Sequence, residues 1–379
     1  MRPNIAIEKN LADENVVQYW GFFTPEEISA AAKSGEILML DIDFGRQCSL
    51  SCPGCFRRKN LVDLAGQTDL SYEKLLAVLA EAAANGLKSV KICGAGEPFE
   101  NPRLLELAKD LTSMNVGLAI FTKGHVIGDD IWTKKIFGQQ GITDGLTLCQ
   151  KLFELKTSVM LYYPTLSNNE LFSRLVGDRT SRHPQRACLA AERLALAGFN
   201  KTRPTRLMLV HTPVTKDSVG GALAVYKFAR QRNILPLIAF YMVSGTQITK
   251  EFLERYDPSD KQKLELFWQV YRYNLDHGIQ SPEQLVAEGI SCMPGIHPCN
   301  QIAVGMYLTA NGNVIRCPGD CAGVLGNVQQ ESLIAIWQRV RQWPFAGRSN
   351  CGCPYKDGRT VPLEIYRPDF FHKILDPNK

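Results

Sequence analysis

The sequence predicts an α/β fold built on a parallel sheet, and three observations carry that expectation. Between about residues 36 and 245, short apolar runs alternate with stretches of helical periodicity, which is the pattern of repeated βαβ units. At 379 residues, 45% of them apolar and 21% charged, the chain can bury a substantial core and is too apolar for wholesale disorder. The third observation is compositional: of 12 cysteines, three lie in a tight run at Cys48, Cys52 and Cys55, and six crowd the last quarter at Cys292, Cys299, Cys317, Cys321, Cys351 and Cys353. Clustered thiols in a reducing compartment serve metal or redox chemistry rather than disulfides, so two metal centres are expected.

The elements follow in order. A first strand is expected over 37–44. A helix then starts at the N-cap Ser71, with Leu75, Leu76, Val78, Leu79, Ala82 and Ala83 on one face and Gly86 as stop signal. A second strand over 89–93 runs into a glycine turn. Asn101 and Pro102 read as cap and first residue of a helix to Leu111, and a third strand spans 116–122. Strands at 158–163, 206–211 and 235–243, with helices over 184–197 and 219–231, complete six β/α units. A long amphipathic helix over 260–277 leads to a hairpin, 302–308 and 313–317 around Asn311-Gly312, and to a closing helix over 332–343. The expected domains are an N-terminal extension (1–35), the β/α body (36–245), a helical linker (246–290) and a cysteine-rich unit (291–379).

Charge narrows the function. Lys plus Arg exceed Asp plus Glu by only five, 43 against 38, and the surplus is spread along the chain, so nothing advertises a nucleic-acid face. The first residues lack the pattern of a signal peptide, and no run of about 18 apolar residues occurs, so a cytoplasmic protein without a membrane span is expected.

The first cysteine run follows the first strand, where α/β folds place their chemistry, and presents three thiolates to one point. Three ligands on a four-iron cube leave one iron open, as a catalytic zinc keeps a free position. A zinc site would want a fourth ligand, and the nearest in sequence are Cys93 and His125. Cys48-Ser49-Leu50-Ser51-Cys52-Pro53-Gly54-Cys55 resembles the CxxxCxxC signature of radical S-adenosylmethionine (SAM) enzymes. The resemblance implies a partial (β/α)6 barrel and a [4Fe-4S] cluster whose open iron binds SAM and releases a 5'-deoxyadenosyl radical. The family usually carries an aromatic residue before the third cysteine; here Gly54 stands there and Phe56 follows.

Gly94-Ala95-Gly96-Glu97-Pro98 resembles the family's GGEP motif, implying contacts from its backbone and the Glu97 carboxylate to the SAM ammonium. Thr122-Lys123-Gly124 resembles the TNG that often ends the third strand, with Lys123 in place of Asn, and implies that Thr122 lines the SAM pocket. Arg174, in Arg174-Leu175-Val176-Gly177, is a candidate for the SAM carboxylate, and the last strand, ending Tyr241-Met242-Val243-Ser244-Gly245, for the adenine wall.

Cys299-x12-Gly312-x4-Cys317, with the helix that follows, resembles the opening of the SPASM and twitch extensions of this family. Six cysteines are too few for two fully cysteine-ligated cubes, so the resemblance implies one auxiliary iron-sulfur cluster, held by Cys299 and Cys317 with Cys351, Cys353 and Cys292. Cys321 has no counterpart, and a zinc ribbon is the competing reading. Cys93, Cys149 and Cys188 read as buried small apolar residues, while His211 and His297 are the histidines nearest the chemistry. No catalytic acid or base is legible.

The expected function is SAM cleavage and hydrogen abstraction, for a dehydrogenase-type change in a small molecule fed by an external reductant such as flavodoxin or ferredoxin. Maturation of a ribosomally made peptide is the alternative, weakened by the short stretch before the first strand. From another class come a non-catalytic electron carrier and a zinc-stabilised binding module.

Overall fold

The computed structural model describes residues 2, 3, 5, 20–55, 68–241, 249–295, 299, 301–319, 323–341 and 358–376. Six parallel strands lie side by side in chain order: β1 (Met39–Ile42), β2 (Ser89–Ile92), β3 (Gly117–Thr122), β4 (Ser158–Tyr162), β5 (Leu207–His211) and β6 (Leu235–Ile238). On the free side of β1 the sheet continues with β7 (Gly305–Leu308), parallel to β1, and then β8 (Asn313–Ile315) and β9 (Gly326–Asn327), both antiparallel. The hairpin expected in the cysteine-rich segment is therefore an extension of the same sheet, in register with Met39 to Ile42.

Side chains alternate across the strands, as the pleat requires. Leu40, Ile42, Val90, Ile92, Leu118, Ile120, Val159, Leu161, Leu207 and Leu209 form the core beneath the connecting helices. The opposite face differs from strand to strand. On β3 to β6 it is apolar, with Ala119, Met160, Met208, Val210 and Leu235 gathered around Trp20, whose indole Nε1 donates to the Thr205 carbonyl at 3.0 Å. On β1 and β2 it carries Asp41 and Lys91, whose charges lie 3.4 Å apart, and Gln301 donates to Asp41 at 2.7 Å.

Local signals explain most boundaries. Ser71 caps the helix Tyr72–Ala83 by accepting from the Lys74 amide, and Leu75, Val78, Leu79 and Ala82 are its buried stripe. After β2, a 3-10 turn (Pro98–Glu100) precedes the helix Leu104–Ser113, so that helix starts later than Asn101-Pro102 would have it. Asn101 instead accepts from the Arg103 amide. The strand expected over 235–243 is shorter, ending at Ile238. Residues 302–304, expected as the start of a strand, belong to a helical turn over Gln301–Val304. The sequence pattern did not reveal the helices Pro25–Ser34, Asp130–Phe137, Gly145–Glu154 and Asn169–Val176, each carrying its own N-cap side chain.

Two further contacts fasten the late segment to the first β/α unit. The Glu81 carboxylate accepts from the Leu333 and Ile334 amides at 3.3 and 3.4 Å, at the start of the helix Leu333–Val340. Trp337 Nε1 donates to the Gly35 carbonyl at 3.0 Å. A second apolar cluster joins Phe267, Val270 and Tyr271 of the helix Asp260–Asp276 to Tyr226, Cys292 and Ile374. Among the described residues no helix is long and apolar enough to cross a membrane.

Two outcomes follow. Trp20→Ala, which empties a site only 1% exposed, is expected to lower unfolding stability by about 3–5 kcal/mol in chemical denaturation. Burial lowers the pKa of the His183 and His211 imidazoles to about 3. The unfolded chain binds those protons near pH 6.5, so stability falls as pH drops from about 6.5 towards 3, by roughly 1.4 kcal/mol per pH unit for each imidazole. His211→Gln is expected to flatten that slope when denaturation is followed across this range.

Candidate functional site

The C-terminal ends of β1 to β6 open onto one cavity of about 180 Å3, the position where parallel α/β sheets bind ligands. Its wall combines the loop after β1 (Cys48, Cys52, Pro53, Gly54, Cys55) with the turn after β2 (Cys93, Gly94, Gly96, Glu97, Pro98). Lys123 and Tyr162 stand at the ends of β3 and β4, Arg174 faces Asp217, and Tyr241, Phe252 and Tyr256 form an aromatic side. The three cysteines are each half-buried.

The loop bearing them is pinned by protein contacts at three points. The Glu97 amide donates to the Gln47 carbonyl at 2.7 Å. Ser49 donates through both its amide (2.9 Å) and its hydroxyl (2.6 Å) to the Glu100 carboxylate, which also meets His125 Nε2 at 2.8 Å. Ser51 Oγ donates to the Gly177 carbonyl at 3.2 Å, and a Cβ on Gly177 would strike the Ser51 backbone. Burial of Glu100 would raise its pKa, but the bonds from His125 and Ser49 outweigh that and hold the carboxyl below its ordinary value.

Glycine is required in the turn after β2. A Cβ on Gly96, where φ is +79°, would lie 2.9 Å from the carbonyl oxygens of Gln47 and Gly45. One on Gly94 would collide with the Asp43 carboxylate and the Tyr307 hydroxyl. The buried Glu97 carboxylate accepts from Thr122 Oγ1 at 2.6 Å, the Lys123 amide at 2.9 Å and the Phe99 amide at 3.3 Å.

The sequence-derived candidates thus divide. Gly94, Gly96, Glu97, Pro98 and Arg174 line the cavity with the three cysteines. Thr122 is buried and holds Glu97, while Ala95 is buried with its amide donating to Asp43 at 2.6 Å. Arg174 is paired with Asp217 at 2.6 Å. Cys93, expected as a core residue, lines the cavity; Cys149 and Cys188 are buried. His211 is wholly buried and bonded through Nε2 to Ser218 at 2.9 Å, off the cavity wall. Cys292 is buried and packs in the second apolar cluster with Cys299 at its margin, and Cys317 is half-buried. Cys321, Cys351, Cys353 and His297 lie outside the described residues.

Sequence reasoning missed Asp43, Glu100 and His125 in their roles here. Tyr241, in the strand end offered for the adenine wall, lines the cavity, and what the sequence did not show is that its ring carbon Cε1 lies 3.0 Å from where a Cβ on Gly54 would be. It stacks edge-on against Phe252 at 5.1 Å. An aromatic from the far end of the sheet thus stands over the position where the signature's own aromatic is missing.

Burial, followed by the negative charge of Glu97, pushes the Cys48 thiol up to about 12, and burial also raises Cys52. Among the described residues, no three His, Cys, Asp or Glu side chains converge closely enough for a single metal ion.

No family model matches the chain. A curated relative, the tungsten-containing aldehyde ferredoxin oxidoreductase cofactor-modifying protein of Pyrococcus furiosus, is 28% identical over 93 residues, 24% of this chain and a quarter (25%) of the relative. Among solved structures, SuiB of Streptococcus suis bound to S-adenosylmethionine is similar with a TM-score of 0.53 at 18% identity, over 92% of this chain and 77% of that one. anSMEcpe with bound AdoMet is similar with a TM-score of 0.58 at 15% identity, over 90% and 97%. Both have also been solved with peptides, SuiB with its precursor peptide SuiA and anSMEcpe with AdoMet and the Cp18Cys peptide. The chain shares their fold.

Glu100→Ala is expected to take the acceptor from the buried His125 ring, at about 1–3 kcal/mol, and to free the Ser49 amide and hydroxyl from the loop's anchor. A lowered Tm with faster proteolysis at the 48–55 loop is the expected result; an unchanged Tm would dissociate this network from the loop.

Proposed function

We propose that this chain is a radical SAM enzyme, and the observation that carries the reading is the meeting of the CxxxCxxC loop and the GAGEP turn on one cavity wall. The donor set fits an iron-sulfur cluster. The thiols lie on one pinned loop facing a cavity, yet not at single-ion spacing, and thiolates bound to separate irons do not need to converge on one point. Glycine backbone at 94 and 96, where a Cβ would collide, brings the main chain against the ligand space.

Cys48, Cys52 and Cys55 would hold the cluster, which when loaded supplies the electron that cleaves SAM to a 5'-deoxyadenosyl radical able to take a substrate hydrogen. The chain's own part is to bind, orient and exclude water. Gly94, Gly96 and Pro98 line the cavity with the thiols, and the Glu97 carboxylate, fixed by Thr122 and the Lys123 amide, is held at the same wall. Tyr241, in the space over Gly54, is the group we assign to the adenine, with Phe252 behind it. Arg174, engaged by Asp217, guards the rim.

The reaction we favour is a dehydrogenase-type change with electrons passed through an auxiliary cluster, for which Cys299 and Cys317 are the described candidates, with Cys292, Cys351 and Cys353 completing the set. Reductant would come from a flavodoxin or ferredoxin. The peptides bound to SuiB and anSMEcpe favour a second reading, modification of a peptide substrate.

Anaerobic reconstitution followed by dithionite and SAM is expected to yield 5'-deoxyadenosine from the wild type, with roughly four irons per cube. Replacing Cys48, Cys52 and Cys55 together by Ala is expected to abolish it. Deoxyadenosine from that triple variant at the wild-type rate would sink the reading.

A further inference from the structure

Two cationic side chains line the cavity among the described residues. Arg174 is neutralised by Asp217 at a rim where both are more than half exposed, 58% and 57%. Lys123 is different. No carboxylate among the described residues comes within ion-pairing distance of its ammonium, which rests 3.3 Å from the centroid of the Tyr162 ring and 5.1 Å from that of Phe121. Its main chain cannot drift, because the Lys123 amide is bonded to the buried Glu97 carboxylate at 2.9 Å.

Tyr162 is the common neighbour of this ammonium and the cysteine loop. The ring is buried and lines the cavity together with Lys123, Cys48, Cys52 and Cys55, so the ammonium it carries and the three thiols share one wall. A family asparagine at this position would carry no charge at all.

We propose that Lys123 is a positioning charge that sets the reduction potential of the cluster held by Cys48, Cys52 and Cys55. This rests on the proposed function above and goes beyond it. Reduction adds one electron, delivered by an external low-potential donor of the flavodoxin or ferredoxin class, with no bond made or broken and no proton moved. The added negative charge sits at the wall of a cavity where protein screens less than water, so a fixed cation on the same wall favours the reduced form. The lysine's flexible stem is held by Tyr162, which keeps the charge at the wall rather than in solvent.

The test is a redox titration of anaerobically reconstituted wild-type, Lys123→Met, Lys123→Gln and Lys123→Arg proteins without SAM. It is read by electron paramagnetic resonance on the signal that changes when SAM is later added. Each uncharged variant is expected to show about a tenfold lower ratio of reduced to oxidised cluster at the same applied potential, which is about 59 mV for one electron. Lys123→Arg is expected to stay within about threefold of wild type. Iron content and Tm are measured alongside, and whichever of the Met and Gln variants retains full iron decides. Equal potentials in wild type and the uncharged variants would overturn the inference, whether or not Tm changes. So would an unchanged potential with weakened SAM binding, which would assign the lysine to the ligand instead. A wild-type protein that takes up no cluster defeats the underlying reading rather than this step.

Discussion

The Asp43 carboxylate, buried one residue beyond β1, is the constraint on which the rest of the site depends. A buried charge must be met by donors, and those available come from segments far apart in sequence. Ala95 gives its amide at 2.6 Å from the turn after β2, Ala310 its amide at 3.1 Å from the hairpin, and Tyr307 its hydroxyl from β7. These bonds fix the glycine turn, β1 and the hairpin relative to one another. They also dictate sequence, because position 94 has no room for a Cβ beside the carboxylate and the tyrosine hydroxyl. Five residues later the chain reaches Cys48, so the loop that bears the thiols leaves the sheet from its best-anchored point.

That arrangement explains what the sequence could and could not reveal. Strands β1 to β6 were legible because each is a short local run of apolar residues, buried on both faces, between helical stretches, and the helix at Ser71 because its cap and apolar stripe lie within a dozen residues. The cysteine loop and GAGEP turn were legible for the same reason. What escaped was non-local. Asp43 reads as one more polar residue until Tyr307 and Ala310 are brought to it. Tyr241 reads as one residue of a strand end offered for the adenine wall, and only the fold puts its ring over Gly54. Arg174 reads as a free cation until Asp217 is seen beside it, 43 residues on. The hairpin read as part of a separate unit because sequence says nothing about which edge of a sheet is open.

The two halves of the sheet present different chemistry to the same side. Towards β1, β2 and β7 it is polar, with Asp41, Lys91, Gln301, Asp43 and Tyr307 linked by ion pair and hydrogen bond. Towards β3 to β6 it is apolar and closed by Trp20. The cavity at the strand ends inherits this division, thiols and backbone groups on one side and tyrosine and phenylalanine rings on the other. A ligand with a charged amino-acid end and a flat heterocycle can be satisfied at both ends in only one orientation, so the division itself selects a pose.

The loop's anchorage bears on how such a site is loaded. Gln47, Ser49 and Ser51 are held by Glu97, Glu100 and Gly177, none of which is a thiol, so the loop's course is set by the protein alone. Two of the thiols it presents, Cys48 up to about 12 and Cys52, resist deprotonation, because burial and, more weakly, Glu97 disfavour the thiolate. A neutral, pre-placed thiol set costs little to bury, whereas a set of thiolates held without metal would repel one another beside a carboxylate. On the proposed reading, metal binding would release the protons, and the cations that displace them would also relieve the repulsion from Glu97. The same carboxylate that discourages an empty, charged site would then favour a filled one, which would make Glu97 part of the proposed site's selectivity even though its own oxygens are spent on Thr122, Phe99 and the Lys123 amide.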